Sequence, residues 1–129
     1  MPWLRGDAAL AWRRAAFWLA VGVVVLLSLS PVEHLPDQAM RLWDKAQHAF
    51  GFAGLTVLGC WAYPTRRWGV PAGLVVLGVA IEWTQAWTGW RHGDGLDMVA
   101  NGVGIAAGLV SAEAIRRVWA SRAARRQTP

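Results

Sequence analysis

The chain is short of charge and almost empty of cysteine. Charged residues fill 16% of its 129 positions and hydrophobic ones 55%, against about 25% charged in an average soluble domain. That balance argues against an ordinary water-soluble globule. Its one cysteine, Cys60, lies inside an apolar run. A single thiol builds neither a disulfide framework nor a cysteine metal cluster, so it reads as buried and inert. Internal repeats and low-complexity tracts are missing too, and the length bounds the chain to one domain.

What is present is four apolar runs, Ala15 to Val32, Ala46 to Tyr63, Gly69 to Trp87 and Leu96 to Ala114. Each approaches the ~20 residues that cross a ~30 Å hydrocarbon layer. The expected fold is all-α, a polytopic membrane bundle of four transmembrane helices over residues 15–32, 46–63, 69–87 and 96–114, with a basic tail over 115–129. Arg13 and Arg14 ahead of the first run also fit a cleaved leader, but Pro31 directly after it and the three further runs favour a retained span.

Basic residues in short loops stay cytoplasmic. Ten of the thirteen lie before the first run, between the second and third, or after the fourth (Arg5, Arg13, Arg14, Arg66, Arg67, Arg116, Arg117, Arg122, Arg125 and Arg126). Arg41, Lys45 and Arg91 are left for the other side, so both termini are expected to be cytoplasmic. A net charge of +5 and a pI near 11 suggest nucleic acid at first sight. The distribution explains the charge as a topology signal instead, leaving membrane lipid as the expected partner of the tail and no nucleic acid. Of ten tryptophans, Trp12, Trp43, Trp61, Trp68, Trp87, Trp90 and Trp119 fall near span ends, as an interfacial aromatic belt requires.

Polar residues interrupt the apolar spans at helical spacing. Asp97, Asn101, Gly104, Gly108 and Ser111 share one face of the fourth span, polar first and small further in. Gly104 and Gly108 have the spacing of close helix packing in lipid, within the chain or between two copies. Gly78, Glu82 and Gln85 share a face of the third span, and Asp44, His48 and Gly51 one of the second. Glu82 is the deepest ionisable residue, ~8 Å inside the end at Trp87. Lone charges in hydrocarbon cost several kcal/mol and turn inward to find partners. One outward-facing pocket lined by Asp44, Lys45, His48, Glu82, Gln85, Arg91, Asp97 and Asn101 is therefore expected, with Glu82 near His48 and Asp97, and with His92 and Asp94 at its rim. Asp44, Glu82, Asp94 and Asp97 outnumber Lys45 and Arg91 there. A protonated Glu82, a charged His48 or a bound cation restores the balance.

Asp44-Lys45-x-x-His48 with Phe52, Glu82-x-x-Gln85, and Arg91, Asp97, Asn101, Gly104 and Gly108 at their spacings resemble the pattern of the VanZ-like membrane proteins, a family named for a protein associated with teicoplanin resistance. The likeness spans roughly Asp44 to Gly108. It departs in Ala49 and Trp87, where an aromatic and a phenylalanine are usual. The resemblance implies a multi-pass protein of the bacterial cytoplasmic (inner) membrane and cell envelope; it implies no reaction and no cofactor.

Several uses of the pocket stay open. It can bind the polar head of a lipid-linked wall precursor or a lipophilic glycopeptide, with Lys45 and Arg91 on phosphate or carboxylate and Asn101 and Gln85 on sugars or amides. It can be an intramembrane hydrolase or transferase with Glu82 or His48 as general base, Asp97 orienting it and Arg91 on an oxyanion, or with Asp44, His48, Glu82 and Asp97 around a divalent metal. An ion-coupled transporter is a further use. The bland reading is a structural clasp in which Arg91 pairs with Asp97, Asn101 bridges helices, and Asp44 and Asp94 are helix caps.

Overall fold

The computed structural model describes residues 2–30, 37–66, 68–89 and 95–126, and the side chains of 2–5, 37–42 and 44 lie outside that description. Four helices follow one another, α1 (Pro2–Leu29), α2 (Asp37–Ala62), α3 (Gly69–Thr88) and α4 (Gly95–Arg125), with no strand among the described residues. α1, α3 and α4 are long and apolar enough to cross a membrane, whereas α2 opens with charged and polar residues.

The helix bounds exceed the apolar runs at three places. α1 begins at Pro2 and α2 at Asp37, and α4 continues to Arg125. Hydropathy reports only the part of a helix that sits in lipid, and polar turns without a breaker extend it unseen. Proline at the first helical position of α1 suits helix initiation. Much of the expected first outer loop is therefore the start of α2, and Asp44, deep in that helix, is not its cap. The stops are chemical. Pro64 follows the end of α2, where it cannot continue the helix. α3 ends on Gly89, which adopts a left-handed φ of 76°, a conformation with little steric penalty only for glycine.

Side-chain contacts set the packing. α4 lies parallel to α2, because Lys45 meets Asp97 and His48 meets Asn101 while, further along both helices, Gly104 faces Ala49 and Gly108 faces Ala53. A methyl group on Gly104 would run into the Ala49 carbonyl, and one on Gly108 would stand 2.6 Å from the Ala53 carbonyl oxygen. The two backbones approach closely because glycine leaves room, as helix pairs in lipid require. This glycine seam is thus covered within the chain. α1 and α3 run antiparallel to that pair, with Phe17 beside Gly59, Val24 beside Gly51 and Phe52 beside Gly78.

Phe52, Leu55, Ala62, Leu74, Ile81 and Ile105 form the centre of the core. The outside is apolar as well: Leu19, Leu26, Phe50, Val76 and Val110 are all exposed, in keeping with lipid rather than water as the surrounding solvent. Trp12, Trp43, Trp61, Trp68, Trp87 and Trp119 all point outward, and Trp90 lies outside the described residues. The hydroxyls of Thr56 and Thr84 bond back to their own turns, to the Phe52 carbonyl at 2.7 Å and to that of Ala80 at 2.8 Å, so neither needs water.

The two ends of the bundle differ in charge. At one, Arg13 lies 4.7 Å over the Trp61 ring and Arg14 5.1 Å over Tyr63, cation–π contacts that tie the start of α1's apolar part to the end of α2. Trp18 donates to the Tyr63 hydroxyl at 3.0 Å. α4 runs about two turns past that end, carrying Arg116, Arg117, Arg122 and Arg125, the first two paired with Glu113 at 2.8 Å. Of the expected pocket, Lys45, His48, Glu82, Gln85, Asp97 and Asn101 lie at the opposite end.

Candidate functional site

Three helices deliver the polar side chains to one place. The third and fourth turns of α2 supply Lys45 and His48, the last two turns of α3 supply Glu82 and Gln85, and the first two turns of α4 supply Asp97 and Asn101. Each pair sits three or four residues apart, which keeps it on a single face. His48, Glu82, Gln85, Asp97 and Asn101 are all buried, between 2% and 6% exposed.

His48, Glu82 and Asp97 each bring a nitrogen or carboxylate oxygen within 4.8 Å of the other two. Lys45 Nζ bonds Asp97 Oδ1 at 3.0 Å, and the lysine side chain is 26% exposed against 4% for the aspartate. Lys45 therefore reaches the pair from the open rim of the site, while Asp97 is rooted in its floor. His48 Nδ1 stands 2.8 Å from Asn101 Oδ1. With this amide orientation Nδ1 is the donor, since an amide oxygen only accepts, and in the neutral ring Nε2 is then the acceptor.

Gly78 is what lets this layer close. A methyl group there would come 3.0 Å from Asn101 Nδ2 and 3.5 Å from the Phe52 ring, so the asparagine presses against bare backbone of α3. Phe52, fully buried, seals the layer from beneath.

Gln85 sits one turn from Glu82 with its amide nitrogen turned to α1. Its Nε2 donates to the Ser28 carbonyl at 2.6 Å, one of the last carbonyls of α1 that lack a partner inside their own helix. Gln85 is thus a tie between α3 and α1. The signal was available in part, since Ser28 stands near the end of an apolar run, but the choice of a backbone carbonyl was not readable. Asp97 is bonded to Lys45, and Arg91, its partner in the clasp reading, lies outside the described residues. So do His34, His92 and Asp94 and the side chain of Asp44. Ser111 closes the expected stripe of α4, yet it is exposed where Asp97, Asn101, Gly104 and Gly108 are buried. A run of offsets drifts off a fixed contact line because the helices cross, and the buried stripe ends at Gly108.

The arrangement offers two carboxylates, an imidazole lone pair, an amide and an ammonium group within one desolvated layer open at the lysine. It can take up an anionic or hydrogen-bonding head through Lys45 and Asn101, or hold a cation through His48, Glu82 and Asp97. No protein-family model, curated protein or solved structure matches the chain.

Proposed function

We propose that the protein is a four-span, VanZ-like protein of the bacterial cytoplasmic membrane, with both termini in the cytoplasm, whose polar end faces outward and binds the head group of an envelope amphiphile. The observation that carries this reading is the convergence of Lys45, His48, Glu82, Asp97 and Asn101 from three helices in a buried layer whose only half-exposed member is a cation. Interhelical hydrogen bonds in membranes average about 0.6 kcal/mol, a small return for burying two carboxylates and an ammonium group if holding helices together were their whole purpose.

The orientation is supported by the segregation of charge, since the arginine-rich end matches the cytoplasmic bias of basic residues. The fourth span is supported by the position of α2. Its buried face is packed between α4 and the α1–α3 pair, so it needs less apolar surface than a helix turned wholly to lipid. Lys45 supplies a charge for phosphate or carboxylate, and Asn101 an amide for sugar or peptide groups. A lipid-linked wall precursor and a lipophilic glycopeptide both carry such groups on an apolar anchor.

Purification in mild detergent followed by mass spectrometry of copurifying lipids tests the proposal. The wild type should retain a phosphate- or carboxylate-bearing amphiphile that Lys45→Ala loses. Equal retention by both, or none by either in the presence of added envelope lipid, overturns it. An enzymatic reading is favoured by the proximity of His48, Glu82 and Asp97. In that case a lipid is consumed by wild type and left intact by Glu82→Gln.

A further inference from the structure

We propose that His48, Glu82 and Asp97 are the ligands of one divalent transition-metal ion, of the zinc or manganese class, held in the polar layer between α2, α3 and α4. This rests on the reading of that end as a binding site rather than a clasp, and it names the site's resident ion.

Four observations lead there. The three residues come from three helices, are all buried, and place one ligand atom each within 4.8 Å of one another. Ligands on a single zinc at ~2.1 Å stand ~3.4 Å apart in a tetrahedron, so the set would close by at most ~1.4 Å between any two of these atoms. Second, Asn101 Oδ1 stands 2.8 Å from His48 Nδ1, a contact that suits the neutral tautomer with Nε2 as the ligating atom. Histidine ligands are held in this way by a carbonyl or carboxylate on their far nitrogen. Third, Lys45 bonds Oδ1 of Asp97, so the same carboxylate offers Oδ2 to the ion while its outer oxygen is anchored, the usual support of a ligating carboxylate. Fourth, two carboxylates this close repel each other in a medium of low dielectric, and a cation between them removes the repulsion.

The donor set selects the ion. Carboxylate oxygens alone suit magnesium or calcium, whereas an imidazole beside them suits zinc, iron, nickel or copper, with manganese at the oxygen-rich edge. Three protein ligands leave a coordination position open. Lys45 stands at the exposed edge beside Asp97, so a phosphate or carboxylate oxygen of the bound head could complete the coordination with Lys45 as its second contact.

The experiment uses the full chain in detergent micelles. Metal content is read by mass spectrometry of the purified protein, and Zn²⁺ and Co²⁺ are titrated into chelator-treated protein, followed by calorimetry and by the visible cobalt bands. We expect about one ion per chain, with Zn²⁺ raising the thermal midpoint, and cobalt bands of a low-coordinate N/O site. Glu82→Gln and Asp97→Asn should each weaken Zn²⁺ at least ~10–100-fold, and Asn101→Ala, which only orients His48, should weaken it by no more than that range. Lys45→Met, which removes the anchor of Asp97, should weaken Zn²⁺ within that same range without abolishing it. Circular dichroism confirms that each variant is folded. Zn²⁺ bound equally by wild type, Glu82→Gln and Asp97→Asn means an adventitious ion only and overturns the site, as does a wild type that takes up neither ion. If zinc is absent while the amphiphile still copurifies with wild type and is lost from Lys45→Ala, the metal site falls and head-group binding stands.

Discussion

Glu82 and Asp97 are the residues whose burial has no cheap structural explanation. Each is within a turn or two of a helix end, yet neither turns toward solvent, and Asp97 is bonded to a lysine that is itself part-exposed. Removing one partner of a fully buried pair costs about 3–5 kcal/mol. Because the lysine end reaches solvent, Asp97→Asn should cost about 1–3 kcal/mol, less than that full value, measured by thermal or denaturant unfolding in detergent. Gly104 makes a sharper prediction. Any side chain there meets the Ala49 backbone carbonyl, which has no torsion to move aside, so Gly104→Ala should destabilise by about 1–3 kcal/mol. Gly102, with open space around the same hypothetical atom, should accept alanine without loss, and the pair measured side by side separates packing from helix propensity.

At the scale of the helix, the four elements divide their labour. α2 and α4 form the close parallel pair that carries most of the site, α3 adds Glu82 from the flank, and Gln85 ties α3 to the last turn of α1. Gln85→Ala should therefore release the end of α1 and leave the cluster in place. Faster hydrogen exchange at residues 27–30, with a stability loss of about 0.5–1.5 kcal/mol, is the expected result. Loss of head-group or metal binding would instead put Gln85 in the site. The helices also show which parts of the fold were legible. Amphipathic stripes in α3 and α4 placed Gly78, Glu82, Gln85, Asp97, Asn101, Gly104 and Gly108 on buried faces, because a 3.6-residue period converts directly into direction. The first turns of α2 were not legible, since a polar helix and a polar loop have the same hydropathy.

For the molecule as a whole, the separation of charge along the bundle axis is the main constraint on function. The arginine-rich end, with Arg13 and Arg14 on the rings of Trp61 and Tyr63 and the protruding basic end of α4, lies opposite the polar layer. The proposed orientation predicts that, in a Cys60→Ala background, cysteine placed at Ser121 reacts with a membrane-impermeant thiol reagent only after the cells are opened, while cysteine at Thr88 reacts in intact cells. The reverse pattern would move the site to the cytoplasmic face and remove the outer-leaflet amphiphiles from consideration.

Composition and spacing by themselves determined that the chain is helical and apolar, that its charges segregate, and that polar groups recur on single helix faces; these follow from local periodicity and the transfer free energy of each residue. Which groups meet was decided only by the tertiary structure. Lys45 stands bonded to Asp97, Gln85 reaches a backbone carbonyl of α1, and His48 joins Glu82 and Asp97. Such pairings depend on the crossing of α2 and α4, and that crossing is set by two backbones in contact at Gly104 and Gly108, a relation between distant residues that no single helix encodes.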